Sequence, residues 1–297
     1  MFVIKTLIVL MAAAFAVEPV SAQMFRFTPE QMIRYTAKNP FERFPDGRPK
    51  VPDALLEKVK TLSVEEAWGV LRSKGYQSQY ADGFEILHPG KKLVGRAVTA
   101  QYLPVRPDLE EVLQKEAKAS GLPSSTNQKV IDLLQRNDVP VVDLMGAAPG
   151  HNFGGDNLHA AIFGATGTGA VVDGTIRDIA GIAELGSQVY FRKAHPAAVA
   201  GVTVIGINIP VKVGNAIVMP GDVVLGDREG VVFIPPHLVQ EIVDAAELIQ
   251  IHDEWTKQKF LTGKYKASEL YGGGPLAPEL QREYDEFVRK KRAGKSR

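Results

Sequence analysis

Between positions 139 and 192 the chain repeats one unit: an apolar run, a polar or glycine-rich turn, then a segment with helical periodicity. VPVVDL (139–144) leads into MGAAPGHNFGGDN and then into a small-residue helix over 158–166. A second run, 169–172, leads into a charged turn and a helix over 178–185, and a third run covers 189–192. Short apolar runs without polar alternation suit strands buried on both faces, and helices between them supply the crossovers of a mostly parallel sheet. This rhythm puts the chain in the α/β class.

The flanking segments fit around such a core. Leu55, Leu56 and Val59, then Val64, Ala67, Trp68 and Leu71, recur at helical spacing, with Ser63 and Glu66 as a capping box and Gly75 as a stop. A strand is expected over 93–103 and helices over 108–119 and 127–136. Short strand-like runs at 202–211, 216–218, 223–226 and 231–234, separated by Pro220-Gly221 and 227–230, make a β-rich part of the same core. Pro235-Pro236 opens a helix over 237–252, and the charged tail reads as helix, loop, helix and a solvated basic end. Residues 23–52 form an arm whose Phe25, Phe27, Phe41 and Phe44 call for an apolar surface on the main domain or a neighbouring subunit.

The first residues stand apart. One lysine, Lys5, precedes an apolar run over 6–17, and Val20-Ser21-Ala22 offers small residues before a cut at Gln23. That layout predicts a signal peptide over 1–22, export to a periplasmic or secreted location, and no stable membrane span after cleavage. The chain has no cysteine, so neither disulfides nor a lipidated cysteine anchor are available. With 35 basic and 34 acidic side chains the formal net charge is +1, which gives no basic footprint for nucleic acid.

Charges gather where such a sheet binds ligands, beyond the carboxyl ends of its strands. Asp143, Asp173, Arg177 and Asp178 occupy those ends, and Gly154-Gly155-Asp156-Asn157 leads into a helix N-terminus, whose free amides suit carboxylate or phosphate oxygens. Arg177 offers a bidentate clamp, and Asp178 offers a hard oxygen to a divalent cation. The pattern alone equally allows a structural reading, with Asp178 capping a helix, Arg177 paired to it and Asp173-Gly174 making a turn.

Three segments in order break that tie: Gly155-Asp156-Asn157-Leu158, then Asp173-Gly174-Thr175-Ile176-Arg177-Asp178, with Asp156 and Arg177 separated by 21 residues, then PGDVVLGDREGVVFIP over 220–235. Residues 63–235 thereby resemble the RraA-like family, which includes class II 4-hydroxy-4-methyl-2-oxoglutarate aldolases with oxaloacetate decarboxylase activity and the non-aldolase regulator of ribonuclease activity A. The resemblance implies a swivelling β/β/α domain in an α/β/α sandwich, and an assembly of homotrimers or dimers of trimers with the site near a subunit interface. The division that follows is signal peptide 1–22, N-terminal arm 23–62, RraA-like catalytic domain 63–236 and C-terminal helical extension 237–297.

By the same resemblance, amides around Gly155, Asp156, Asn157 and Leu158 bind the carboxylate of a pyruvate moiety. Arg177 contacts the keto or enolate oxygen. Asp178 holds Mg²⁺ or Mn²⁺, and Asp156 orients the water that protonates the enolate. The implied activity is that of a metal-dependent carbon–carbon lyase acting on a 2-keto acid such as 4-hydroxy-4-methyl-2-oxoglutarate or oxaloacetate. Asn157, His151 and His159 make this loop more polar than the family pattern, and with Asp173 and Thr175 they are further candidates for substrate contact. Two other readings stay open: a non-catalytic binding or scaffold protein, and a different enzyme acting on an exported sugar acid or aromatic breakdown product.

Overall fold

The computed structural model describes residues 25–119, 121–123, 126–146, 151–271 and 274–295. The expected signal segment, 1–22, and its cut at Gln23 lie outside them, as does part of the glycine-rich loop, 147–150. The N-terminal third comprises α1 (Pro29–Tyr35), α2 (Asp53–Val59), α3 (Val64–Ser73), β1 (Tyr80–Ala81), β2 (Glu85–Ile86) and β3 (Leu93–Pro104). The middle comprises α4 (Pro107–Ala119), α5 (Gln128–Ile131), β4 (Asp138–Asp143), α6 (Asp156–Thr166), β5 (Gly169–Ile176), α7 (Ile179–Glu184) and β6 (Gln188–Ala194). There follow β7 (Val202–Ile207), β8 (Val211–Val213), β9 (Ala216–Val218), β10 (Val223–Asp227), β11 (Gly230–Ile234), α8 (Val239–Phe260), α9 (Ala267–Leu270) and α10 (Pro278–Lys295).

A central sheet flanked by helices runs in the order β1-β11-β10-β3-β4-β5-β6-β2. Its middle, β3 to β6, is parallel, as the apolar runs require. The long β3 is shared along one edge by β10 and then β7, both antiparallel to it. The pleat sorts the core. Val98, Val142, Val172 and Phe191 pack with helix residues such as Ile162 and Ile182, whereas Val141, Val171 and Tyr190 pack with Val211 and Val218 of the separate β8–β9 hairpin. Each fully buried side chain of this kind contributes roughly 1.5–3 kcal/mol.

The arm is tied into this core. Arg48 donates to both carboxylate oxygens of Asp138, at 2.8 and 3.0 Å, and both side chains are buried. The guanidinium lies 4.3 Å from the centre of the Phe44 ring. Phe41 packs against the α2–α3–α8 cluster and Phe27 stacks on Tyr35, but the Phe25 ring stays exposed while its backbone bridges Gly206.

Four expectations change in detail. The helix expected over 127–136 shrinks to α5, because Leu133 and Leu134 close tighter turns and Asn137 swings to φ 63° to enter β4. The strand expected over 169–172 continues to Ile176, through an irregularity between Val172 and Thr175, so Asp173-Gly174 is strand and not turn. The short strands after 202 mostly join the main sheet; β8 and β9 alone form a second one. The helix after Pro236 runs on to Phe260.

Candidate functional site

The end of β5 gathers the glycine loop beside it. Asn152 bridges Thr175, the Phe153 N–H donates to the Thr175 carbonyl at 3.0 Å, and the Arg177 N–H donates to the Gly154 carbonyl at 3.2 Å. Thr175 donates twice to the His151 carbonyl, from its amide and from Oγ1. The Asn152 amide reaches the His195 carbonyl at 3.1 Å. These bonds set Gly155 against the two charged residues that leave the strand.

Glycine is required where they meet. A Cβ on Gly155 would stand 2.0 Å from Asp178 Oδ2 and 3.1 Å from Arg177 Nε. A Cβ on Gly181 of α7 would stand 2.8 Å from Asp156 Oδ2. Two glycines thus admit two carboxylates into the space between α6 and α7. Gly155 is also the N-cap of α6 and supplies no side-chain cap, so the first-turn amides lack backbone partners within their own helix. One of them, that of Asn157, donates to Asp156 Oδ1 at 2.8 Å.

Arg177 and Asp178 touch loosely, at 3.5 Å, and are 40% and 44% exposed. A committed charge-assisted bond is closer to about 2.8 Å. The Arg177 Nη atoms make no hydrogen bond with a described residue. Asp178 does not cap α7 with its side chain; it sits in the left-handed region, φ 57° and ψ 41°. That conformation costs an L-residue on the order of 1 kcal/mol.

The structure therefore brings Gly155, Asp156, Asn157, Leu158, Arg177 and Asp178 together. It does not bring Asp173 with them. Asp173 faces the hairpin side of the sheet, bonded to Arg192 Nε at 2.6 Å and to the Gly214 N–H at 2.9 Å. Asp143 lies beside it in register, and burial, with Asp173 adding repulsion, raises its carboxyl pKa. Thr175 is buried and occupied by the loop. His151 is half-buried, with Nδ1 unpartnered. His159 points into the core, edge-on to Phe153 with both ring nitrogens unpartnered, and burial pushes its pKa down to about 4. It is a neutral core imidazole, out of reach of an open site. The sequence reading missed Gly181, which carries no local motif of its own.

Mg²⁺ and Mn²⁺ take hard oxygen ligands. Asp178 and Asp156 are hard carboxylate donors, and no group of three or more His, Asp or Glu able to cage an ion occurs among the described residues. Arg177 and Asp178 stand on a solvent-exposed shelf; the larger described cavities lie elsewhere.

The family model for Aldolase/RraA, RraA-like, matches residues 50–233, more than half of the chain. The chain belongs to the RraA-like family. Among curated relatives, protein DlpA of Legionella pneumophila is 26% identical over 60% of this chain and 27% of its own length. A Halalkalibacterium halodurans protein with the provisional name 4-hydroxy-4-methyl-2-oxoglutarate aldolase is 35% identical over 35% of this chain and 49% of its own. The chain thus spans about half or less of the length of these relatives. The crystal structure of Streptomyces coelicolor RraAS2, described as an unusual member of the RNase ES inhibitor RraA protein family, superimposes with a TM-score of 0.60. It is 27% identical and covers 71% of this chain and 100% of its own. The RraA-like family holds both aldolase or decarboxylase enzymes and non-catalytic regulators.

Proposed function

We propose that this RraA-like protein is a divalent-metal-dependent carbon–carbon lyase acting on a pyruvate-containing 2-keto acid, such as 4-hydroxy-4-methyl-2-oxoglutarate or oxaloacetate. One observation carries the reading: a half-exposed arginine with free Nη groups stands beside a carboxylate at an uncapped helix N-terminus, and Gly155 has no room for a Cβ between them.

The Asp156 and Leu158 amides of the first turn of α6 take the substrate carboxylate, the Asn157 amide being held by Asp156. Arg177 takes the keto oxygen with its free fork and holds the negative charge that develops there as the carbon–carbon bond breaks. For the aldol substrate, a water held at Asp156 takes the C4 hydroxyl proton, C4 becomes the carbonyl carbon of a second pyruvate, and the C3–C4 electron pair passes into the pyruvate enolate. For oxaloacetate, the same pair is left behind as carbon dioxide departs. Asp156, fixed by the Asn157 amide and Gly181, orients the water that returns a proton to C3. A divalent cation held by Asp178 supplies Lewis-acid stabilisation of the enolate oxygen.

The shelf on one protomer is open to water, which suits completion by a second copy in a homotrimer or dimer of trimers. The reading also takes the protein as exported after loss of residues 1–22. No helix among the described residues is long and apolar enough to cross a membrane.

The test is pyruvate release from both substrates with Mg²⁺, with Mn²⁺ and with EDTA, against an Arg177→Ala variant and a protein-free metal blank. Cation-dependent release that vanishes in the variant supports the lyase. Release no faster than the blank from either substrate removes both and leaves the binding-protein reading ahead. N-terminal sequencing of the exported chain checks for a start at Gln23.

A further inference from the structure

A cavity of about 490 Å³ lies away from the Arg177 shelf, walled by residues 34–39 after α1, Tyr76 and Gln79, the β9 edge with Asp222, and residues 235–237 before α8. Most of that wall falls outside residues 50–233, so the arm and the lead-in to α8 build it. Its volume is in the usual range for small-molecule sites, roughly 300–1,000 Å³.

At the floor, Asp222 is 2% exposed. One carboxylate oxygen accepts the Met219 N–H at 2.8 Å, and the other has no partner among the described residues. No cation among the described residues is ion-paired to it, and burial pushes its pKa up to about 7. A buried carboxyl left half-bonded is costly unless something supplies a donor. At the mouth, Arg34 and Lys38 are exposed and make no hydrogen bond or ion pair with a described residue. Between mouth and floor the wall is mostly apolar: Tyr35, the Tyr76 ring and Pro235-Pro236. Tyr76 Oη lies 3.3 Å from His237 Nε2, and burial, then Lys38, lowers the His237 pKa, so the imidazole adds a dipole and no charge.

We propose that this cavity is a second ligand site for a small hydroxylated aromatic carboxylate, with the carboxylate at Arg34 and Lys38, the ring along Tyr76 and the prolines, and the hydroxyl donating to Asp222. The two ends of the cavity ask for opposite things. Free cations at the mouth select an anion, and a lone buried carboxyl at the floor rejects a second one while rewarding a hydroxyl. The mostly apolar wall between them, with the Tyr35 and Tyr76 rings, favours an aromatic ligand over a bare hydroxy acid.

Calorimetric titration of the full mature chain with 4-hydroxybenzoate, benzoate and 4-hydroxybenzamide tests this. The hydroxyacid binds, and loss of either the hydroxyl or the charge weakens it about tenfold, the equivalent of one lost polar contact. The exposed double variant Arg34→Gln/Lys38→Gln, whose folding is not at risk, weakens 4-hydroxybenzoate about tenfold or more and removes its advantage over the amide. Asp222→Asn brings 4-hydroxybenzoate and benzoate to within about twofold of each other. Arg177→Ala changes none of these affinities, which separates this site from the proposed lyase centre. The proposal is overturned if 4-hydroxybenzoate shows no binding at millimolar concentration, if the double variant binds it unchanged, or if Arg177→Ala abolishes binding.

Discussion

Two arginine–aspartate pairs define this molecule, and they are opposites. Arg48 and Asp138 are buried at 2% and 0% exposure and meet through two bonds, the nearer at 2.8 Å. Arg177 and Asp178 are 40% and 44% exposed and meet at 3.5 Å. The first pair directs its hydrogen bonds into the protein, with Arg48 Nε left unpartnered: Asp138 also accepts the Gln135 N–H, and Arg48 also reaches the Ala97 carbonyl. The second pair has kept its capacity for something else. The same two residue types therefore serve architecture in one place and, on the proposed reading, chemistry in the other, and exposure with bond count tells them apart.

The largest effect should come from breaking the buried pair. Arg48→Met takes the bidentate partner from Asp138 and leaves it, among described cations, only the Arg96 guanidinium at 3.9 Å, at a cost of about 3–5 kcal/mol. Chemical denaturation should show that loss, and turnover per folded molecule should stay near wild type. Adding Asp138→Leu removes the stranded charge and should recover much of the stability, since a buried pair replaced by apolar groups is often near neutral. A large drop in turnover from Arg48→Met at a temperature where it is fully folded would erase the contrast between the pairs.

The exposed pair should give the mirror image. Arg177→Lys keeps the charge and loses the planar fork. Turnover of a 2-keto acid should fall roughly 10²–10³-fold, as for removal of one transition-state donor. Thermal stability should move by no more than about 0.5 kcal/mol, as for an ordinary exposed substitution. Equal loss of activity and stability would make this a second structural pair.

Gly155→Ala sharpens the comparison from the backbone side. The added methyl meets Asp178 Oδ2 at 2.0 Å, so the aspartate, and Arg177 with it, must shift. The atoms met are the ends of flexible side chains, so they can move aside with little loss of stability, on the order of 0.5 kcal/mol. Because the displaced groups are half-exposed, most of the effect should fall on kcat. Parallel measurement of kcat and of the unfolding midpoint decides it: a fall in the midpoint with kcat unchanged would show that Gly155 serves packing alone.

The difference between the pairs also explains what could be read from the sequence. Arg177 and Asp178 are adjacent, and Asp156 stands at the head of the preceding helix, so strand-end reasoning and the DGxxRD pattern suffice to gather them. Arg48 and Asp138 are ninety positions apart, and neither sits in a motif. The cavity around Asp222 is still less local, with four separated segments contributing to it. Asp173 failed for a different reason. Its strand was read as ending at Val172, whereas β5 continues to Ile176, and the pleat turns Asp173 toward Arg192 and away from α6. His159 looked like a polar addition to the loop, but helical geometry carries it from the exposed Asn157 into the core. Adjacent charges at a strand end are legible from sequence; the face a side chain takes, and every contact made across the fold, depends on register that sequence spacing fixes only within a residue or two.

The smallest net effect concerns pH, because two buried groups oppose each other. The His159 pKa is lowered from 6.5 to about 4 by burial, so below pH 6.5 the unfolded chain binds a proton that the folded chain refuses. Its neutral burial is free of penalty above pH 6.5, and stability is lost as pH falls toward 4, by about 3 kcal/mol at most. The Asp222 pKa is raised from 3.8 to about 7, so the folded chain holds a proton that the unfolded chain releases. Its contribution is fully present below pH 3.8 and is lost as pH rises through 7. Between about pH 4 and 6.5 the two slopes have opposite signs and similar size, about 1.4 kcal/mol per pH unit each, and largely cancel. Removing one should expose the other. Relative to wild type, His159→Leu should become steadily more stable as pH falls from 6.5 to 4.5, and Asp222→Asn steadily less stable. Thermal melts of the three proteins across that range read the slopes directly, whatever constant offset each substitution brings. Parallel curves for all three would mean that neither group is held in the protonation state its burial demands, and with that the unpartnered carboxyl at the floor of the arm cavity would lose its physical basis.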